Sequence, residues 1–251
     1  ICFGSKEIMT DLIKTITENK SLLKEVKGEP LSVRFFSNIT LDMIKPFLIN
    51  SFLKKKININ ITEFHYDSMA QDSSGVKEEE IIVLHIDSLN LIGEPLNNIS
   101  NKEDEYLKGL FEKTIEELDL ALESINKVKE IYISTMSYQT VEQLNGKNRY
   151  LKDLINAFNS YIEKKRGVYR NIEIIDLNRI LFSSNGLSCL NHRELFNSVA
   201  PYKFNFLKNL SDEIAEYSSL KNGKVKKVLA LDCDNTLWDG TIAEDGQDGI
   251  N

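Results

Sequence analysis

The apolar positions along the chain change period repeatedly. Ile8, Leu12, Ile16, Leu23 and Val26 recur near helical spacing, which predicts an amphipathic helix over 5–26. Gly28-Glu29-Pro30 ends it. Residues 31–36 form a short apolar run of strand type. Thr40 reads as the cap of a helix over 41–55, with Ile44, Phe47, Leu48 and Phe52 turned inward. Ile57, Ile59 and Ile61 alternate with Asn58, Asn60 and Thr62, the period of a half-buried strand. Residues 67–79 are polar and read as a loop. Residues 81–86 form an apolar run of the kind found in a central parallel strand. Residues 88–101, with Gly93 and Pro95, read as loop, and 102–129 carries the longest helical period, from Leu107 to Val128. Further strands are predicted over 130–135, 171–177 and 227–231, and further helices over 148–166 and 204–217.

Strands and helices alternate throughout. That order predicts an α/β fold around a mainly parallel, doubly wound sheet. The best boundary is 220–227, where Gly223 lies among Lys221, Lys224, Lys226 and Lys227 ahead of a new apolar strand. The expected domains are therefore 1–222 and 223–251.

The 251 residues are 41% hydrophobic, enough to bury a core and to exclude wholesale disorder. The net charge of −7 argues against a nucleic-acid backbone as the main partner. No apolar run approaches the roughly 18 residues of a membrane span, and Lys6, Glu7 and Asp11 interrupt the start too early for a signal peptide. The three cysteines, Cys2, Cys189 and Cys233, are far apart, which argues against a zinc site or a disulfide framework and fits a reducing cytoplasm. The chain opens on Ile1 rather than Met and reads as a piece of a longer one.

One segment carries chemistry. Val228-Leu229-Ala230-Leu231 is followed by Asp232-Cys233-Asp234-Asn235-Thr236-Leu237-Trp238. Two carboxylates one residue apart stand at the carboxyl end of a buried strand, where open α/β sheets place ligands. Two close carboxylates repel, and a divalent cation such as Mg²⁺, which prefers oxygen ligands and substrate phosphate, resolves the repulsion. One Asp would attack phosphorus to give an aspartyl-phosphate, and the other would act as general acid and base. Thr236, with the loop amides around Asn235, would hold the phosphoryl group. A bare strand ending in an acidic turn is the plainer alternative.

This segment resembles motif I of the haloacid dehalogenase (HAD) superfamily. Its extension, Asp239-Gly240-Thr241-Ile242-Ala243-Glu244-Asp245-Gly246, is similar to the DNTLWGGVIGEDG signature of FkbH-like, subfamily IIIC proteins. The resemblance implies Asp232 as nucleophile and Mg²⁺ ligand, and Asp234 as acid/base and second Mg²⁺ ligand. It implies Thr236 as a phosphate contact, with Trp238 and Gly240 in the flap. Asp239 departs from the family, which usually has Gly there. Such proteins carry an N-terminal α/β domain related to SGNH hydrolases. They include glyceryl transferase/phosphatases that load an acyl carrier protein, beside many other phosphatases of phosphorylated small molecules. The order Asp176-Leu177, Gly186, Asn191-His192-Arg193, Pro201-Tyr202 resembles their domain junction.

An active SGNH hydrolase needs a Ser after the first strand and a late Asp-x-x-His pair. Here the strand is followed by Ser37-Asn38, with Asn38 at the nucleophile's place and Ser37 one residue off. His192 has Cys189, not Asp, three residues before it. The expectation is a hydrolytically silent N-terminal domain, with His192, Ser37 and Trp238 as candidate substrate contacts. His85, inside an apolar strand, is expected to be a core residue. The expected activity is that of a cytoplasmic, Mg²⁺-dependent HAD-type phosphatase. An SGNH-like hydrolase or acyltransferase and a non-catalytic binding module are the alternatives. The later HAD motifs would lie beyond Asn251, so the 251-residue piece is expected to be inactive alone.

Overall fold

A computed structural model of the chain describes residues 3–66, 68–91, 103–145 and 147–223. The chain divides into two compact units, Ile1–Ser219 and Leu220–Asn251. The first is built on five parallel strands: β1 (Leu31–Ser37), β2 (Ile59–Tyr66), β3 (Ile81–His85), β4 (Glu130–Ser134) and β5 (Ile172–Ile175). Their order is β2-β1-β3-β4-β5, the doubly wound flavodoxin-like order, so the winding reverses between β1 and β3.

The burial of each strand follows from its place in that order. β3 and β4 are buried along their whole length, as strands covered on both faces must be. Helices α1 (Phe3–Leu22), α2 (Lys45–Lys54) and α10 (Phe204–Lys221) belong to one layer. Ser51 of α2 donates to Asp212 of α10 at 2.5 Å, and Phe47 packs on Phe204 with ring centroids 5.3 Å apart. Asn50 of α2 donates to Asn19 of α1 at 2.8 Å. In another layer, α5 (Asp104–Ile125) and α7 (Arg149–Val168) are joined where Tyr161 and Lys165 meet Asp119. Strand alternation assigns the sheet's residues to these layers. Phe35 stacks on Phe64, over which Lys45 of α2 lies, whereas its neighbour Phe36 stacks on His65 and borders a cleft walled by α5.

The predicted elements are present, with corrections. β2 begins at Ile59, two residues after the first Ile of the alternating run. The helix expected over 41–55 is a 3₁₀ turn, Asp42–Ile44, followed by α2, and Thr40 does not cap it. Pro46 sits in the first turn of α2, where its missing N–H leaves one fewer donor to satisfy. Thr40 instead donates from its hydroxyl to Ser198 O at 2.7 Å and from its amide to Val199 O at 2.8 Å. The stretch expected as loop over 67–79 contains α3 (Met69–Asp72) and the 3₁₀ turn Ser73–Gly75, and 88–101 opens with α4 (Ser88–Leu91). Three further short helices, α6 (Tyr138–Asn145), α8 (Leu177–Ser183) and α9 (His192–Ser198), carry too few apolar residues to show a period. The strand expected over 227–231 lies outside the described residues.

Capping fixes where α7 starts. Asn148 Oδ1 accepts from Leu151 N at 2.9 Å. Asn148→Ala is expected to lower the stability of the first unit by about 1 kcal/mol. The change should appear as a lower urea midpoint at unchanged slope.

Candidate functional site

The carboxyl ends of β1 and β3 flank the point where the sheet reverses its winding, and the polar groups there are tied together. Asn38, just past β1, bridges to the residue just past β3: its Nδ2 donates to Asp87 O at 2.9 Å, and its Oδ1 accepts from Asp87 N at 2.7 Å. The Asn38 carbonyl accepts from Asn90 Nδ2. The Asp87 carboxylate is wholly buried. Its Oδ1 accepts from Leu89 N at 2.8 Å and its Oδ2 from the Tyr202 hydroxyl. Burial, reinforced by the neighbouring Asp87 charge, pushes the Tyr202 phenol well above its ordinary range. His85 is also wholly buried, with Nδ1 2.8 Å from Ser134 Oγ and Nε2 3.4 Å from Asp87 Oδ2. That second approach is too poorly aligned to be a hydrogen bond. The core role expected for His85 is therefore the observed one: it pairs with Ser134 and lies against Asp87, whose bond to Tyr202 docks the start of α10.

On the other face of the same strand ends a cleft of about 450 Å³ opens. Phe36 and Ile86 form its floor; Met69 of α3, Leu91 of α4 and Leu110 of α5 form apolar walls. Ser37, Gln71, Lys113 and Glu117 add polar groups. Beside it, Asp72 accepts from Ser68 Oγ at 2.5 Å and contacts His65 Nδ1 at 2.8 Å. The Ser68 hydroxyl first, and then His65, hold the Asp72 carboxyl below its usual range.

Ser37 borders the cleft, but its Oγ accepts from Ile39 N at 3.1 Å. Next to it in register, His85 directs Nδ1 to Ser134. His192 is exposed in the first turn of α9, and Thr40 grips the opposite end of that helix, roughly 9 Å along its axis. The structure thus places Ser37 on the cleft and leaves His192 outside its wall. Asn191, rather than His192, has the local structural role, accepting from Glu194 N as the cap of α9. Asp232, Asp234, Asn235, Thr236 and Trp238 lie outside the described residues. Among the described residues no three His, Cys, Asp or Glu side chains converge as a metal site. Within the same bounds, no helix is long and apolar enough to cross a membrane.

Asp87 and the charged wall residues Lys113 and Glu117 were not among the residues singled out by sequence, and Tyr202 was noted only as part of the run that resembles a domain junction. Asp87 offered one local signal: it stands two residues past a buried His at the end of a central strand. The bond from Tyr202 to Asp87 had no signal, the two being 115 residues apart in sequence.

Cys189 is fully buried, and burial pushes its thiol up to about 11. A folded-state value above the ordinary 9.0 stabilises the fold fully below pH 9, and that contribution is lost as pH rises toward 11. At pH 8 the folded chain should leave Cys189 unmodified by iodoacetamide, and urea should make it reactive, as peptide mass spectrometry would show.

No family model matches the chain, and no curated protein matches its sequence. Solved structures do match. The N-terminal part of the protein BF1531 from Bacteroides fragilis, containing a phosphatase domain complexed with Mg, superposes with a TM-score of 0.70 at 15% identity. The match covers 95% of this chain and 64% of that one, so this chain spans less than two thirds of its length. A mutant of Axe2, an acetyl-xylooligosaccharide esterase from Geobacillus, superposes with a TM-score of 0.51 at 11% identity over 81% of this chain and 99% of that one. At such identities the likeness is one of fold: the chain shares its architecture with both.

Proposed function

We propose that this chain is part of a Mg²⁺-dependent, HAD-type phosphatase in which Asp232 is the nucleophile and the α/β domain, 1–222, is not itself hydrolytic. The observation that carries this reading is the Asp232-x-Asp234-x-Thr236 run after the apolar sequence Val228-Leu229-Ala230-Leu231. The fold shared with a structure said to contain an Mg-complexed phosphatase domain supports it.

The donor chemistry suits the ion. Two carboxylates and a hydroxyl are hard oxygen donors, the set that Mg²⁺ selects. Asp232 and Asp234 would hold it, and it would supply charge neutralisation for the carboxylates and the phosphate. The protein's own residues do the rest. An Asp232 carboxylate oxygen bonds to phosphorus as the bond to the leaving oxygen breaks, and Asp234 gives that oxygen its proton. Asp234, now a carboxylate, takes a proton from water, which attacks phosphorus, releases phosphate and restores Asp232. Thr236 and the amide of Asn235 orient the phosphoryl oxygens. The substrate class is a phosphorylated small molecule. Its narrower form, by the same family resemblance, is a phosphorylated three-carbon acid passed to an acyl carrier protein.

The N-terminal domain lacks a working esterase constellation on two counts. Asn38 stands where the nucleophile would be, with both ends of its amide engaged by Asp87, and His192 is outside the cleft. The shared fold with an esterase keeps a second reading, hydrolysis through Ser37, worth a direct comparison. In the natural protein containing this chain, Ser37→Ala should leave p-nitrophenyl phosphate turnover unchanged, and no p-nitrophenyl acetate activity should depend on it. Esterase activity lost with Ser37→Ala, together with phosphatase activity that survives Asp232→Asn, would overturn the proposal.

A further inference from the structure

We infer that the cleft at the carboxyl ends of β1 and β3 is a binding site for a zwitterionic α-amino acid with an apolar side chain. This inference rests on the cleft alone and is independent of the phosphatase reading. α5 presents Leu110, Lys113, Thr114 and Glu117 to the cleft, at spacings of three and four residues, so one helical stripe forms the wall. Thr114 turns its hydroxyl to Leu110 O at 2.9 Å, which leaves its methyl group for the apolar lining. The stripe therefore presents an apolar surface flanked by one cation and one anion.

Those two charges stand 3.7 Å apart. That is beyond hydrogen-bond length, and an exposed i, i+4 pair contributes only about 0.3–0.5 kcal/mol. Substituting a ligand for the partner therefore costs little. The pair is neutral in sum, so it favours neither a simple anion nor a simple cation. A molecule carrying an ammonium and a carboxylate on one carbon matches it in sign and in scale: carboxylate to Lys113, ammonium to Glu117. On the floor and far walls, Phe36, Ile86, Met69 and Leu91 would then receive an apolar side chain, bordered by the polar groups of Asn38, Ser68, Gln71 and Asn90. The volume of about 450 Å³ admits the largest apolar amino acids together with water.

The floor is also pre-shaped. The Asn38–Asp87 bridge and the Asn90 bond to the Asn38 carbonyl fix the strand ends that frame it. A site held by such bonds loses less freedom on binding. The Ser37 hydroxyl, accepting from Ile39 N, keeps its own proton to donate into the cleft. Binding alone is inferred here, without turnover.

The test is a titration of the ¹⁵N-labelled chain with L-phenylalanine. Amide shifts should concentrate on 110–117, with a dissociation constant on the order of 1 mM or tighter. Phenylalaninamide, which lacks the carboxylate, and N-acetylphenylalanine, which lacks the ammonium, should each bind at least tenfold more weakly. Lys113→Ala and Glu117→Ala should each weaken phenylalanine binding by a similar factor while leaving the thermal midpoint within a few degrees. Absence of shifts at 20 mM phenylalanine would overturn the inference. So would equal binding of the amide and acetyl derivatives, which would mark a site for uncharged amphiphiles.

Discussion

Under the proposed mechanism, Asp232→Asn is expected to lower Mg²⁺-dependent phosphatase turnover of the natural protein by at least about a thousandfold, because it replaces the carboxylate proposed to bond to phosphorus. Asn keeps the shape of the side chain but supplies a neutral amide oxygen, which is a poor nucleophile and a weaker ligand for a hard cation. The thermal midpoint should stay close to that of the parent, so that lost turnover is not lost folding. Asp234→Asn should also cut turnover, but with a distinct signature. A substrate whose leaving group needs no proton, such as p-nitrophenyl phosphate, should suffer less in the first step than an alkyl phosphate. Equal loss on both substrates would remove Asp234 from the role of acid. Full turnover by Asp232→Asn would remove the aspartyl-phosphate from the mechanism.

Asp87→Ala is expected to cost the fold about 2–6 kcal/mol, the cost of two buried donors left without an acceptor. It takes the acceptor from the Tyr202 hydroxyl and from Leu89 N at once, in a site closed to water. A loss of that size is a large share of the 5–15 kcal/mol that holds an ordinary domain together. Asp87→Asn separates shape from acceptor count: one side-chain oxygen remains, so a smaller loss is expected. Denaturant unfolding of the first unit measures both, and a loss under 1 kcal/mol for Asp87→Ala would contradict the network described. The pH dependence has a definite sign. The folded-state value of the Tyr202 phenol is raised above its ordinary 10.0, so its contribution is complete below pH 10 and is lost as pH climbs beyond it. Tyr202→Phe should blunt that alkaline loss.

The framework was legible where burial left a simple pattern. β3, covered on both faces, read as an apolar run, and the long helix α5 read by its apolar stripe. The short helices did not read, because seven or eight residues carry barely two turns of period. Thr40 misled because a hydroxyl ahead of an apolar run looks like a cap, whereas tertiary structure offered it the carbonyls of Ser198 and Val199. Ser37 stands at a strand end that borders a cleft. His192 stands outside that cleft, because its place depends on how α9 packs against the turn after β1. The charged members of the cleft wall were hidden in plain view: Lys113 and Glu117 resemble any solvated pair on a helix. Only the placement of α3 and α4 opposite them makes a cleft.

The sheet order also has a consequence in time. Every strand in it is parallel to its neighbours, so no two can pair through a tight hairpin. During synthesis β1 gains β2 first and must wait until the chain has run on from Tyr66 to Ile81 before its second edge is covered by β3. At about 5–20 residues per second, that edge stays open for roughly one to a few seconds. The open edge carries Val33, Phe35 and Phe36, a short β-prone stretch of the kind that recruits other chains. The outer edge of β3, Ile81-Ile82-Val83-Leu84, waits longer still, while the chain runs from His85 to Glu130, so slowing translation between β3 and β4 should lower soluble yield more than slowing it after β5.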